Sequence, residues 1–274
     1  MKFSYHFYVQ KDANINMDHA INREFGNACI TGNLEIVQRL FSRVETDQMY
    51  LLTMRTLTVE HGHLNILKFF YENNVDIHQL FWSFNPLLIA AKKGWVDIID
   101  YLLELGVDVN TKSIYDNEMT PLMYASKYGN VDIVDRLLTI EKCDVNIQDH
   151  NKLTALFHAV MNGHLEIVDK LIIHGSNIHH LDKYDATLLH YAGLNKNSDV
   201  LKRILDFEFD INQQDKFGHT SLIYAVSHGY GENAKILLDR EADPTLRNIH
   251  GKTAFHLNKD EKIKSFLKKY VINP

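Results

Sequence analysis

The chain carries only two cysteines, Cys29 and Cys143, in 274 residues, too few for a disulfide framework. No apolar run reaches the roughly 18 to 20 residues that a membrane-spanning helix needs. The amino-terminal stretch MKFSYHFYVQKD interrupts its aromatics with polar residues, so it lacks the continuous apolar core of a signal peptide. Positive charge is in deficit, with 29 Lys and Arg against 35 Asp and Glu and a net charge of −6. That balance argues against a general binder of phosphate backbones. The G-x-G-x-x-G, P-loop, G-x-S-x-G and H-E-x-x-H patterns are all missing, which removes the commonest catalytic signatures. What remains is ordinary globular composition, 45% hydrophobic and 23% charged, which excludes a disordered chain. The expectation is a cytoplasmic, reducing-compartment protein with no cofactor, no metal, no membrane insertion and no nucleic-acid partner.

What is present is a repeat. TPLMYASKYGNVDIVDRLL begins at Thr120, TALFHAVMNGHLEIVDKLI at Thr154, TLLHYAGLNKNSDVLKRIL at Thr187 and TSLIYAVSHGYGENAKILL at Thr220. NPLLIAAKKGWVDIIDYLL precedes them at Asn85, a truncated copy follows at Thr253, and weaker copies start at Thr53 and Arg23. Successive anchors lie 30, 32, 35, 34, 33, 33 and 33 residues apart. Within a copy the apolar residues fall at helical spacing, as in Leu122, Ala125, Ile133, Val134 and Leu137. A glycine such as Gly94, Gly129 or Gly163 separates two short helices, where its positive backbone angle ends the first one cheaply. Thr at the anchor can cap the first helix, and Pro fits the turn after it, as in Thr120-Pro121. The sixth copy has Lys196 in place of that glycine, so its inter-helix turn should be altered. No copy can bury its apolar face alone, so neighbours must stack into a solenoid.

A period near 33 with T-P-L-x-x-A and G-H-x-E-I-V resembles the ankyrin repeat over about nine-tenths of the chain. The resemblance implies an all-α solenoid of helix-turn-helix units with β-hairpin-type loops, about eight repeats including degenerate caps. It places an N-terminal tail or capping segment at 1–18, one repeat domain at 19–270 and a C-terminal tail at 271–274.

Sixteen histidines raise the question of metal. Repeat phase accounts for most of them: His63 and His164 follow the glycine, while His158, His190 and His256 sit at or near the family's T-P-L-H position, resembling structural hydrogen-bonders between loops. His174, His179 and His180 cluster off phase without a Cys or acidic partner at zinc spacing. Neither cysteine has the features of a nucleophile. The strings ending at Asn110 and Asn212 resemble ankyrin substrates of asparaginyl hydroxylases; asparagine that satisfies a turn backbone is the alternative.

The resemblance further implies a protein partner along the concave face of hairpin tips and first-helix ends. Carried over residue by residue, the tips are Tyr50, then Phe81, Trp82 and Phe84, then Asn117 and Met119, His150 and Asn151, Lys183 and Tyr184, Lys216 and Phe217. The helix positions are Lys92 and Lys93, Lys127 and Tyr128, and Met161. Aromatics there are of the kind enriched at binding hot spots, and the lysines suggest an acidic or mixed-charge partner for a chain that is monomeric on its own. The expected function is a non-catalytic protein-interaction module. Its alternatives are a bacterial effector capturing a host protein and an immunity or inhibitor protein blocking a toxin or enzyme.

Overall fold

A computed structural model describes residues 16–44, 48–75, 85–258 and 260–271. Among these lie sixteen helices and no strand. They alternate as first and second helices of successive repeats: α1 (Asn16–Thr31) and α2 (Leu34–Phe41), α3 (Gln48–Glu60) and α4 (Leu64–Glu72), α5 (Pro86–Lys93) and α6 (Val96–Glu104). Then follow α7 (Pro121–Tyr128) and α8 (Val131–Leu138), α9 (Ala155–Asn162) and α10 (Leu165–Ile173), α11 (Leu188–Gly193) and α12 (Ser198–Ile204). The last pairs are α13 (Ser221–Ser227) with α14 (Gly231–Asp239), and α15 (Ala254–Leu257) with α16 (Glu261–Val271).

The caps follow from the anchor residues. Thr120 Oγ1 accepts from the Met123 amide at 3.3 Å, Thr220 Oγ1 from Ile223 at 3.2 Å, and Asn85 Oδ1 from Leu87 at 2.8 Å. Gly129 ends α7 at φ 76°, and a Cβ there would stand 2.6 Å from the His164 ring. Backbone angle and close approach therefore both demand glycine at that point. His164 uses the space to reach Lys127 O at 3.3 Å, as His63 reaches Ile30 O at 2.8 Å. Where Lys196 replaces the glycine, α11 stops early at Gly193, and Asn195 donates instead to Val160 O and Met161 O.

First helices stack on first helices and second on second, so each buries its apolar stripe between two neighbours. In α8 the buried stripe is Ile133, Val134 and Leu137, each worth about 1.5 to 3 kcal/mol on burial. One core runs from Val59 to Leu267; a second, aromatic one centres on Phe25, with Phe41, Tyr50 and Phe70 ring centroids 6.1 to 6.4 Å away.

The amino-terminal repeats depart from the pattern. Arg23 and Thr53 lie inside α1 and α3 rather than capping them. Because α3 starts at Gln48, Tyr50 is drawn into the helix. It is buried there, and its hydroxyl donates to Asn22 O at 2.8 Å, so it is not an exposed hairpin tip.

Candidate functional site

Each hairpin is organised by one buried acceptor. Asp182 Oδ1 takes the Tyr184 and Ala186 amides at 2.7 and 2.8 Å, and Asp215 Oδ1 takes Phe217 and His219 at 2.9 and 2.8 Å. Asp149 and Asn248 do the same one repeat before and after. The second carboxylate oxygen then bonds the first helix of the same repeat: His158 to Asp149, Tyr191 to Asp182 and Tyr224 to Asp215, at 2.6 to 3.1 Å; in the preceding hairpin Ser113 Oγ takes the Asp116 amide and Tyr124 donates to Asp116 at 2.6 Å. Burial, reinforced by the facing carboxylates, pushes the Tyr124, Tyr191 and Tyr224 hydroxyls up, so they stay donors. Burial alone would raise Asp149, but the His158 bond and the Leu153 and Asn151 amides outweigh it and hold it below the usual carboxylate value. No turn-organising role for these aspartates was read from the sequence; the recurrence of Asp149, Asp182 and Asp215 five residues before the anchors Thr154, Thr187 and Thr220 was the available signal.

Consecutive tips are tied backbone to backbone. His150 N donates to Asn117 O, Lys183 N to Asn151 O, Lys216 N to Tyr184 O and Ile249 N to Phe217 O, at 2.8 to 3.1 Å. The ladder aligns the exposed tip side chains in one row. Lys183 Nζ lies 5.0 Å from the Tyr184 ring and also bonds Asn151 Oδ1; the Tyr184 and Phe217 rings are 5.5 Å apart, 43% and 40% exposed. Lys216 Nζ donates to Lys183 O at 2.7 Å and lies 3.6 Å from Asp185.

A second group forms at the first-helix ends. Tyr128 stacks on Tyr124 one turn earlier, and Tyr124 is itself bonded to the hairpin, so Tyr128 lies on the hairpin-facing side. Lys92 and Lys127 approach its ring to 5.3 and 5.9 Å. Lys93 is exposed one residue on, and Met161 is exposed in the next repeat.

Met119 does not belong to this surface. It is 1% exposed, because its carbonyl closes the hairpin with Ser113 N at 2.9 Å and its side chain turns into the core. That hairpin closes from Ser113 to Met119, whereas the next closes from Asp149 to Leu153. The two additional residues match the longer spacing of 35 between Asn85 and Thr120. They leave Ile114 and Tyr115 57% and 65% exposed, two apolar tips that family positions alone did not reveal. Phe81, Trp82 and Phe84 lie outside the described residues.

The off-phase histidines are engaged separately: His174 Nδ1 with Lys170 O, His180 Nε2 with Lys152 O, and His179 against Phe209. No group of three metal-ligating side chains occurs among the described residues. Asn110 bridges repeats, donating to Lys142 O at 2.7 Å and accepting from Asp144 N at 3.0 Å, and Asn212 accepts from Asp243 N at 2.8 Å. Burial raises Cys29 to about 12 and Cys143 to about 11, which leaves both as thiols. No described helix is long and apolar enough to cross a membrane.

The family model for ankyrin repeats (3 copies) matches four overlapping windows, residues 25–113, 54–149, 122–215 and 156–248. The chain belongs to the ankyrin-repeat family. Ankyrin repeats form a protein-interaction fold that is generally non-catalytic. Among solved structures, the human ASB11 ankyrin repeat domain superposes with a TM-score of 0.70 at 24% identity, covering 78% of this chain and 96% of that one. A chain from the complex of the Bd0816 predatory endopeptidase of Bdellovibrio bacteriovorus with immunity protein Bd3460 matches at TM-score 0.60 and 28% identity, covering 70% and 99%. No curated protein matches the ankyrin chain described here.

Proposed function

We propose that this ankyrin-repeat chain is a non-catalytic module that holds a partner protein, acidic or mixed in charge, along the face shared by hairpin tips and first-helix ends. The observation that carries this is the preordered tip row. Tyr184 and Phe217 are large, exposed and held by the Asp182 and Asp215 turns, so little side-chain and loop freedom is lost on binding. Affinity capture with the wild-type chain and a Tyr184→Ala/Phe217→Ala variant tests it. A stoichiometric protein retained by the first and lost by a still-folded variant is the expected result; equal capture by both rejects this face.

A narrower version, an immunity or inhibitor protein, draws support from the likeness to a chain of the endopeptidase–immunity protein complex. Its test is genetic and biochemical: a hydrolase or toxin gene beside this one, whose product the purified chain inhibits. Lack of inhibition removes that version and leaves the broader reading standing.

A further inference from the structure

Three second helices pair their basic residues with carboxylates where two first helices do not, although Lys68 of the second helix α4 also lies over a ring, that of Tyr101, at 5.2 Å. On the second-helix row, α8, α10 and α12 each pair a cation with an aspartate one repeat back: Arg136 with Asp100, Lys170 with Asp135 at 2.8 Å, and Arg203 with Asp169 at 2.6 Å. On the first-helix row, Lys92, Lys93 and Lys127 have no carboxylate partner among the described residues. Lys92 and Lys127 instead converge on one ring, 5.3 and 5.9 Å from the Tyr128 centroid, although like charges in that position repel. The helix dipole tolerates cations at the ends of α5 and α7. It does not occupy them, because the Asn130 amide donates to the Ala91 and Lys92 carbonyls of α5 and the His164 ring bonds the Lys127 carbonyl of α7. The chain as a whole is acidic at −6, so the patch is a local reversal of sign.

We infer that Lys92 and Lys127 receive a carboxylate side chain of the partner, and that an adjoining apolar side chain lies on the exposed Tyr128 ring and toward Met161 in the next repeat. The bound element is an acidic–apolar protein segment. This rests on the concave-face reading above. A polyanion is disfavoured, because the patch offers few cations within a chain whose net charge repels one.

The test is selection of a random displayed peptide library on the full chain, followed by hydrogen-exchange mapping of the enriched peptides. Binding is then compared for Lys92→Glu/Lys127→Glu and for the control Lys202→Glu/Lys235→Glu, which makes the same charge change on the second-helix row. The expected peptides carry Asp or Glu beside an apolar residue and protect α5 and α7. They should bind the first variant about tenfold more weakly and the control unchanged. Lys92→Gln/Lys127→Gln serves if the reversed pair unfolds. Peptides that protect the first-helix row without acidic residues, or bind both variants alike, overturn the inference while leaving the concave face intact. Peptides that protect only the second-helix row overturn both. A library yielding no binder, or an oligonucleotide that competes equally well, overturns the acidic segment.

Discussion

The Tyr224 hydroxyl donates to Asp215 Oδ2 at 2.6 Å, and the other oxygen of that carboxylate holds the Phe217 and His219 amides. One buried side chain thereby joins helix to hairpin and sets where Phe217 stands. The same construction recurs at Asp182 with Tyr191, so the tip row depends on residues that a partner never touches.

Asp182→Ala removes two turn bonds and strands the Tyr191 hydroxyl. Stability should fall by about 2 to 4 kcal/mol, in line with loss of a buried, charge-assisted network. Tyr191→Phe should cost only about 1 kcal/mol, since the turn amides keep their acceptor. Urea denaturation of both variants checks the order; equal costs would show that the turn bonds carry nothing.

Gly129→Ala and Gly229→Ala separate two effects. Both glycines have positive φ, 76° and 79°, but a Cβ at Gly129 meets His164 at 2.6 Å, while at Gly229 nothing lies within 4 Å. The second should cost about 1 to 2 kcal/mol from backbone strain, and the first more. Adding His164→Ala to Gly129→Ala should return part of the difference in a thermal or urea melt.

The stacked ion pairs are exposed and should matter little singly. Arg203 and Asp169 side chains are 33% and 41% exposed at 2.6 Å separation. A double-mutant cycle with Arg203→Ala and Asp169→Ala should give a coupling of about 1 kcal/mol or less, declining with added salt.

Acid should weaken the sixth repeat before the fifth. Burial lowers His190 below the ordinary histidine value, against smaller opposing contributions from its backbone bond to His219 and from Asp215. The unfolded chain therefore binds a proton that the folded one refuses, so stability present above about pH 6.5 is lost as pH falls below it. Asp149 runs the other way in origin: its folded value is lowered, so its contribution holds until pH drops through the usual carboxylate value and beyond. Denaturation at pH 7.5 and 5.0 should show a loss that His190→Gln reduces. An undiminished loss in that variant would assign it to other groups.

Period, glycine turns and threonine anchors were legible because each acts within a few residues of chain. Thr120 and Thr220 cap their helices as their positions suggest, although Thr154 at the same position makes no cap bond, and the turn at Lys196 is altered, with α11 ending at Gly193. The tips were less legible. Met119 and Asn117 are two residues apart, yet one is buried and the other exposed, because two additional residues in the Ser113 hairpin shift which side chains turn outward. Tyr50 was misplaced for a related reason, since a helix begun early absorbed it.

By itself the sequence determined a stacked helical array, since a 33-residue period of half-amphipathic helix pairs can bury its apolar faces only against its own copies. Charge pairing was decided by tertiary structure. Lys127 and Lys170 both occupy late positions in short helices, but Lys170 meets Asp135 from the preceding repeat, whereas Lys127 lies over a tyrosine ring and meets no carboxylate among the described residues. Those partners come from elements that touch only once the repeats have stacked, and electrostatic attraction between charges in water decays too quickly with distance for sequence spacing to choose between them.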